Sequence, residues 1–182
     1  MVDLLAFTGT LLIRVTATNF AKASFCSGST SSSHSTLLKY VGDAIFVYFP
    51  VDTAVDFDVS SERAVVCALH MLLVVEHGIN AIFKQFDFPE VHIKIGIDSG
   101  ENAIIEYGSS GMKSHVDILG YPMNVTAKIT SLATADHILI GDTTYQGLDL
   151  RIRERLIKLG LKRQEFINYQ TGDAYIISSF GF

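Results

Sequence analysis

Tryptophan is absent from this chain, cysteine occurs twice, proline three times, and lysine and arginine never cluster. Cys26 and Cys67 stand alone, which excludes a disulfide framework and a thiolate zinc site. The formal charge is −5 with a pI near 5.6. Without a basic patch the chain lacks the electrostatic footprint of a nucleic-acid binder, so any nucleotides it handles are expected to be free ones. His34, His70, His77, His92, His115 and His137 show no metal-ligand spacing and are read as ordinary surface or core residues. The most apolar run, Ala64 to Val75, is too short to span a bilayer and is interrupted by His70. The first residues carry Asp3 where a signal peptide wants a basic residue. A cytoplasmic protein with no membrane partner is the expectation. Asn124-Val-Thr matches a glycosylation acceptor, but without a secretory signal it is read as chance.

What remains is a chain of 182 residues, 48% of them hydrophobic, enough for one domain with a real core and short for two. Val2 to Phe7 is apolar around Asp3 and predicts a strand, with Thr8-Gly9 opening a helix toward Cys26. Ser27 to Ser35 is low in complexity and predicts a flexible loop. Leu37 to Pro50 holds two runs rich in β-branched and aromatic residues around Gly42-Asp43, a hairpin signal that puts Asp43 at a turn. Lys39 and Asp43 fall at even spacing on one face. Taken alone, Asp43 only shapes the turn.

Val51 to Val59 is an acidic connection, after which Ser60 or Ser61 is the expected N-cap of a helix to about Phe83, with Glu62 in its first turn. That helix is apolar nearly all round, which predicts burial. Val91 to Ile97 alternates as a half-buried strand, and Asn102 to Tyr107 is its expected hairpin partner. Ser109 to Ser114 is a polar loop leading to Asp117 on a short strand. Pro122 suits the first turn of a helix to about Leu132. Ile138 to Ile140, Thr143 to Leu148, Arg151 to Ile157 and Ala174 to Ser178 follow as a strand, a helical turn, a charged helical piece and a closing strand. Strands paired as hairpins with helices on one face make an α+β sandwich of the βαββαβ, ferredoxin-like kind.

Three stretches carry the functional signal: Asp3-Leu-Leu-Ala-Phe-Thr, then Lys39-Tyr-Val-Gly-Asp43, then Asp117-Ile-Leu-Gly-Tyr-Pro-Met-Asn124-Val-Thr-Ala-Lys128. In this order they resemble the catalytic domain of the class III nucleotidyl cyclases, whose pattern ends in Arg where this chain has Lys128. His92 to Glu101 and Asp136 to Asp142 are similar to the family's connecting segments. Each motif alone is weak; three in order carry weight.

The resemblance implies an adenylyl cyclase-like domain that converts ATP to 3′,5′-cyclic AMP and pyrophosphate, with Mg2+ or Mn2+ as two ions per site, in a homodimer whose sites lie between the subunits. It implies that Asp3 and Asp43 are the metal carboxylates, since two ions can clamp both the attacking and leaving oxygens and prefer oxygen ligands. Phe7, Thr8 and Gly9 would then offer backbone N–H groups to the triphosphate at a helix N-terminus. Lys39 and Asp117 match the base-reading pair. A lysine that only donates and a carboxylate that only accepts suit adenine, with its N1 acceptor and 6-amino donor, better than guanine. Asn124 corresponds to the ribose-orienting residue and Lys128 to the residue facing the phosphate in the transition state. Lysine there keeps the charge and loses the bidentate fork. Lys158, Lys162 and Arg163 are all candidates for a further phosphate contact, and no motif selects one. Only Met1 and Val2 precede Asp3, so its anchorage is expected to be weak. The alternatives are a degenerate cyclase domain that binds nucleotide or dimerises without turnover, and, more remotely, a guanylyl cyclase or another ferredoxin-like binding domain.

Overall fold

The computed structural model describes residues 2–18, 36–41, 43–51, 54–108, 115–159, 167, 172 and 174–180. The Ser27 to Ser35 and Ser109 to Ser114 segments, and Lys162 and Arg163, lie outside them. A mixed sheet of eight strands forms the framework, seven of them in the order β2-β3-β1-β4-β6-β8-β7, with β5 paired to β4 off that path. The strands are β1 (Val2–Thr18), β2 (Thr36–Val41), β3 (Ala44–Val51), β4 (His92–Tyr107), β5 (His115–Leu119), β6 (His137–Gly141), β7 (Leu156–Leu159) and β8 (Ile177–Phe180). All pairings are antiparallel except β4 with β6.

β1 departs most from expectation. No helix opens at Thr8-Gly9, because the strand continues to Thr18. Leu11-Leu-Ile-Arg-Val-Thr-Ala-Thr is rich in residues that favour a pleated surface, and β3 and β4 flank it on both edges, from Gly9 to Thr16 against β3 and from Val2 to Thr18 against β4. A ladder on each side satisfies the backbone more completely than a weakly amphipathic helix would. The same pairing explains β4, which runs unbroken through Gly100 instead of turning there; Ala103–Tyr107 pairs antiparallel with β1 on one edge and with β5 on the other.

α1 (Ala54–Leu73) starts six residues before the expected Ser60 cap. The acids at positions 56 and 58 therefore stand in its opening turns, where the helix dipole favours negative charge, and Ser60 Oγ donates to the Pro50 carbonyl at 3.2 Å instead of capping. A π turn (Val74–Ile79) joins α1 to α2 (Asn80–Gln85). Asp58–Gln85 is long and apolar enough, by length and composition, to cross a membrane, longer than the run read from the sequence. Here its inner face packs on the sheet: Ala64, Val65, Ala68, Met71, Leu72 and Val75 meet Val47, Phe49, Ile93, Ile95, Ile97, Ile138 and Ile140.

α3 (Tyr121–Leu132) takes Pro122 into its first turn, as the sequence predicts. It covers the other face of the sheet, where Val125 and Ile129 join Leu139, Tyr175 and Ile177. Helices thus pack on both faces of the sheet, not on one. Alternation along β4 sets this up, since Ile93, Ile95 and Ile97 point to the α1 side and Gly96, Asp98 and Gly100 to the α3 side. α4 (Asp142–Gln146) and α5 (Leu150–Arg153) follow β6. The charged piece ends at Arg153, because Leu156-Ile-Lys-Leu pairs with β8 as a strand. The closing strand lies three residues later than its expected start.

Candidate active site

Lys39 sits on β2, one of the strands that end the sheet order, and Asp117 on β5, the strand off that order. The fold brings them together. Lys39 Nζ donates to both carboxylate oxygens of Asp117, at 2.6 and 2.9 Å, with side-chain exposures of 33% and 17%. Asp117 Oδ1 also accepts the backbone N–H of Ile118 at 2.8 Å, which fixes the carboxylate on its own strand. Partial burial makes such a charge-assisted contact stronger than a surface pair. Acceptor oxygens and an ammonium donor lie side by side, the order that adenine's 6-amino group and N1 present.

Asn124 and Lys128 are four apart on α3, both exposed, on one helical face. With Tyr121 and Ala127 they line an open hollow of about 640 Å³. What seats α3 is Gly96. A Cβ there would come within 2.7 Å of Thr130 N and 2.9 Å of the Thr126 carbonyl, so the helix backbone lies directly on β4. Thr130 Oγ1 donates to that same Thr126 carbonyl at 2.7 Å. Gly100 does the equivalent for the start of the helix, where an added Cβ would meet Pro122 Cγ at 2.6 Å.

The sheet does not assemble the expected metal carboxylates. Asp3 faces Glu106 across the ladder. Asp43 is an exposed turn residue beside Ala44, and Ala44 pairs with Thr16, thirteen positions further along β1. Among the described residues no group of three or more His, Cys, Asp or Glu side chains is placed to hold a metal ion. The strand register therefore does not place Asp3 beside Asp43. Phe7, Thr8 and Gly9 face Ala103, Asn102 and Glu101 in mid-strand, so the helix N-terminus expected for the triphosphate is not formed there. Of the candidate phosphate contacts, Lys158 stands over the Tyr145 ring at 5.1 Å.

One charged group went unnoticed in the sequence. Asp98 is 2% exposed, on the α3 side of β4, and accepts a hydrogen bond from Tyr175 Oη at 2.5 Å. Burial pushes its carboxyl up to about 7; the Tyr175 and Ser99 hydrogen bonds pull it down, and Asp142 adds a smaller upward push. Burial also raises the Tyr175 phenol, with the Asp98 charge adding to it. The available signal was the phase of β4: with 93, 95 and 97 facing one core, residue 98 must face the other.

The fold can be set beside known proteins. The family model of the adenylate and guanylate cyclase catalytic domain matches residues 23–177. The chain belongs to that family. It is a nucleotidyl cyclase catalytic domain, and the match begins after the Asp3 motif and spans Lys39, Asp43, Asp117, Asn124 and Lys128. None of the curated proteins matches the chain. Among solved structures, a crystallised guanylyl cyclase is 18% identical, with 96% of this chain and 92% of that one covered, at a TM-score of 0.72. The adenylyl cyclase CyaB from P. aeruginosa is 16% identical over 97% of this chain and 95% of its own, at 0.68. The guanylate cyclase domain of RhGC from Catenaria anguillulae, solved with GTP, is 18% identical over 96% of both chains, at 0.68. These likenesses establish the shared fold, and both adenylyl and guanylyl cyclases are among them, so the choice of base rests on residues of this cyclase domain.

Proposed function

We propose that this cyclase domain binds ATP, with Lys39 donating to adenine N1, Asp117 accepting from the 6-amino group, and Asn124 and Lys128 facing ribose and phosphates. The reaction such a half-site serves is closure of ATP to 3′,5′-cyclic AMP with release of pyrophosphate, at the interface of a homodimer. The observation that carries this reading is the two-oxygen contact between Lys39 and Asp117, which presents the polarity that adenine requires and guanine does not. In this reading the four side chains bind and orient the nucleotide.

A second reading is a domain that holds nucleotide or dimerises without turnover. It is favoured by Lys128 in place of the family arginine and by the separation of Asp3 from Asp43 along β1. Purified protein incubated with Mn2+ and either ATP or GTP, followed by chromatography for cyclic product, separates the two. Cyclic AMP from ATP supports the first reading. ATP raising the melting temperature with no product supports the second, and GTP bound in preference to ATP overturns the assignment of the base.

A further inference from the structure

We infer that the outer side of α1 is a contact surface for a second copy of this chain, separate from the nucleotide half-site. The inference does not rest on the nucleotide reading, because α1 covers the face of the sheet opposite α3, so either can fail alone. The inner side of the helix is occupied by the core, yet its outer side is apolar too. Val59, Val66 and Leu73 are 40%, 43% and 50% exposed and seven residues apart. That spacing keeps a row of side chains on one face, and paired helices use it as their seam. Arg63 and His70 alternate with them, side chains whose apolar parts can lie along such a seam while the polar ends reach water. Val74 and Ile82, also exposed, carry the series past the π turn.

The series ends in an aromatic pair. Phe86 and Phe88 are more exposed still, with ring centroids 6.3 Å apart. Asp87 between them takes a left-handed φ of 55°, and the backbone N–H groups of both phenylalanines donate to the Phe83 carbonyl at 3.0 Å, so the turn that carries the rings is held. Aromatic side chains are enriched at protein interfaces. Together these apolar side chains leave roughly 600 Å² exposed, the upper end of what a monomer's largest patch amounts to. That is most of the roughly 800 Å² per partner that a stable interface takes. A face apolar along its length is complementary to itself, as a two-fold pair requires. A lipid surface fits less well: from Asp58 to Glu90 five acids stand against two bases, and anionic headgroups would be repelled.

Sedimentation velocity of the native chain over a range of concentrations tests this, with folding followed by circular dichroism. The native chain is expected to associate. Leu73→Glu should loosen the contact by about thirtyfold or more, so that the mass halves where the native chain is assembled. Halving is the expected result whether the native assembly is a dimer or, with the nucleotide-site homodimer added, a tetramer. Should Leu73→Glu fail to fold, Phe86→Ser, beyond the helix, gives the same reading. Leu150→Glu, at an exposed position on α5, should leave the mass unchanged, and an equal loss there overturns the inference. So does a native chain that stays monomeric at every concentration, and so do folded Leu73→Glu and Phe86→Ser variants with the native mass. A monomer that cosediments with vesicles of phosphatidylcholine and phosphatidylserine, and stops doing so in Leu73→Glu, overturns it in favour of lipid.

Discussion

Lys39 and Asp117, 78 positions apart in the chain, meet through both carboxylate oxygens at 2.6 and 2.9 Å. The contact joins β2 to β5, two strands that are not neighbours in the sheet, so it reports on tertiary closure as much as on recognition. Truncating either partner is expected to weaken ATP binding by about thirtyfold, the equivalent of roughly 2 kcal/mol for a charge-assisted contact. Isothermal titration of Lys39→Ala and Asp117→Ala with ATP checks this. Folding stability should fall by no more than about 1 kcal/mol, since both side chains keep contact with solvent.

Lys128→Arg restores a planar fork on the exposed face of α3. An interaction made only in the transition state changes turnover and leaves binding nearly untouched. Where cyclic AMP is formed, the substitution should raise its rate by up to about thirtyfold, roughly 2 kcal/mol, with little change in ATP affinity. Product formation by the variant and the native chain at saturating ATP reads this out directly.

Gly96→Ala tests how α3 is seated. The added methyl would meet Thr130 N at 2.7 Å and the Thr126 carbonyl at 2.9 Å, both of them helix backbone that cannot swing aside. Overpacking of this kind costs about 1–3 kcal/mol, visible in urea denaturation. Because Asn124 and Lys128 ride on the same helix, ATP affinity should fall with it. Gly78→Ala is the control, since its nearest neighbour, Val74 Cγ1, would be at an ordinary 3.6 Å.

Asp98 makes stability depend on pH with a definite sign. Its folded value of about 7 lies above the ordinary 3.8, so the folded state keeps a proton that the unfolded chain releases. Nothing is lost at low pH. Between about pH 4 and 7 stability declines from this group by at most about 1.4 kcal/mol per pH unit, and then levels off. Asp98→Asn removes the slope, so its advantage over the native chain in denaturation midpoints should grow across that window and stay constant above it.

His92 shifts stability in the same direction, over a higher pH window. Its hydrogen bond with Asp136, 2.6 Å from Nδ1 to Oδ2, raises its value above the ordinary 6.5. The stability it adds is present below 6.5 and disappears as pH rises through the folded value. Asp136→Asn should flatten that limb, although Asp136 also accepts the backbone N–H of Ile93 at 3.1 Å and the variant will be less stable at every pH.

Much of this site could be read in the sequence, and the reason differs from residue to residue. The hairpin around Asp43 and the helix opened by Pro122 are set by local chemistry, a Gly-containing turn and a proline suited to the first helical turn, and both stand where expected. Asn124 and Lys128 share a face because helical geometry requires it. The pairing of Lys39 with Asp117 could be named only through the family pattern, since nothing local links positions 78 apart. β1 differs from its expectation for another reason. Leu11 to Thr18 is compatible with a poor helix or a good strand, and the decision is made by two flanking strands whose pairing a single sequence does not display. The start of α1 is hidden in the sequence because its acids resemble a solvated loop until the helix dipole is counted in their favour.

β4 serves two masters by parity alone: odd positions 93, 95 and 97 feed the core under α1, while even positions 96, 98 and 100 receive α3 and Tyr175. A single exchange along this strand disturbs one position, but adding or removing a residue between Gly96 and Gly100 would turn isoleucines toward the seat of α3 and a carboxylate toward the apolar core. Among homologues of this chain, length in that stretch should be invariant even where identity is not.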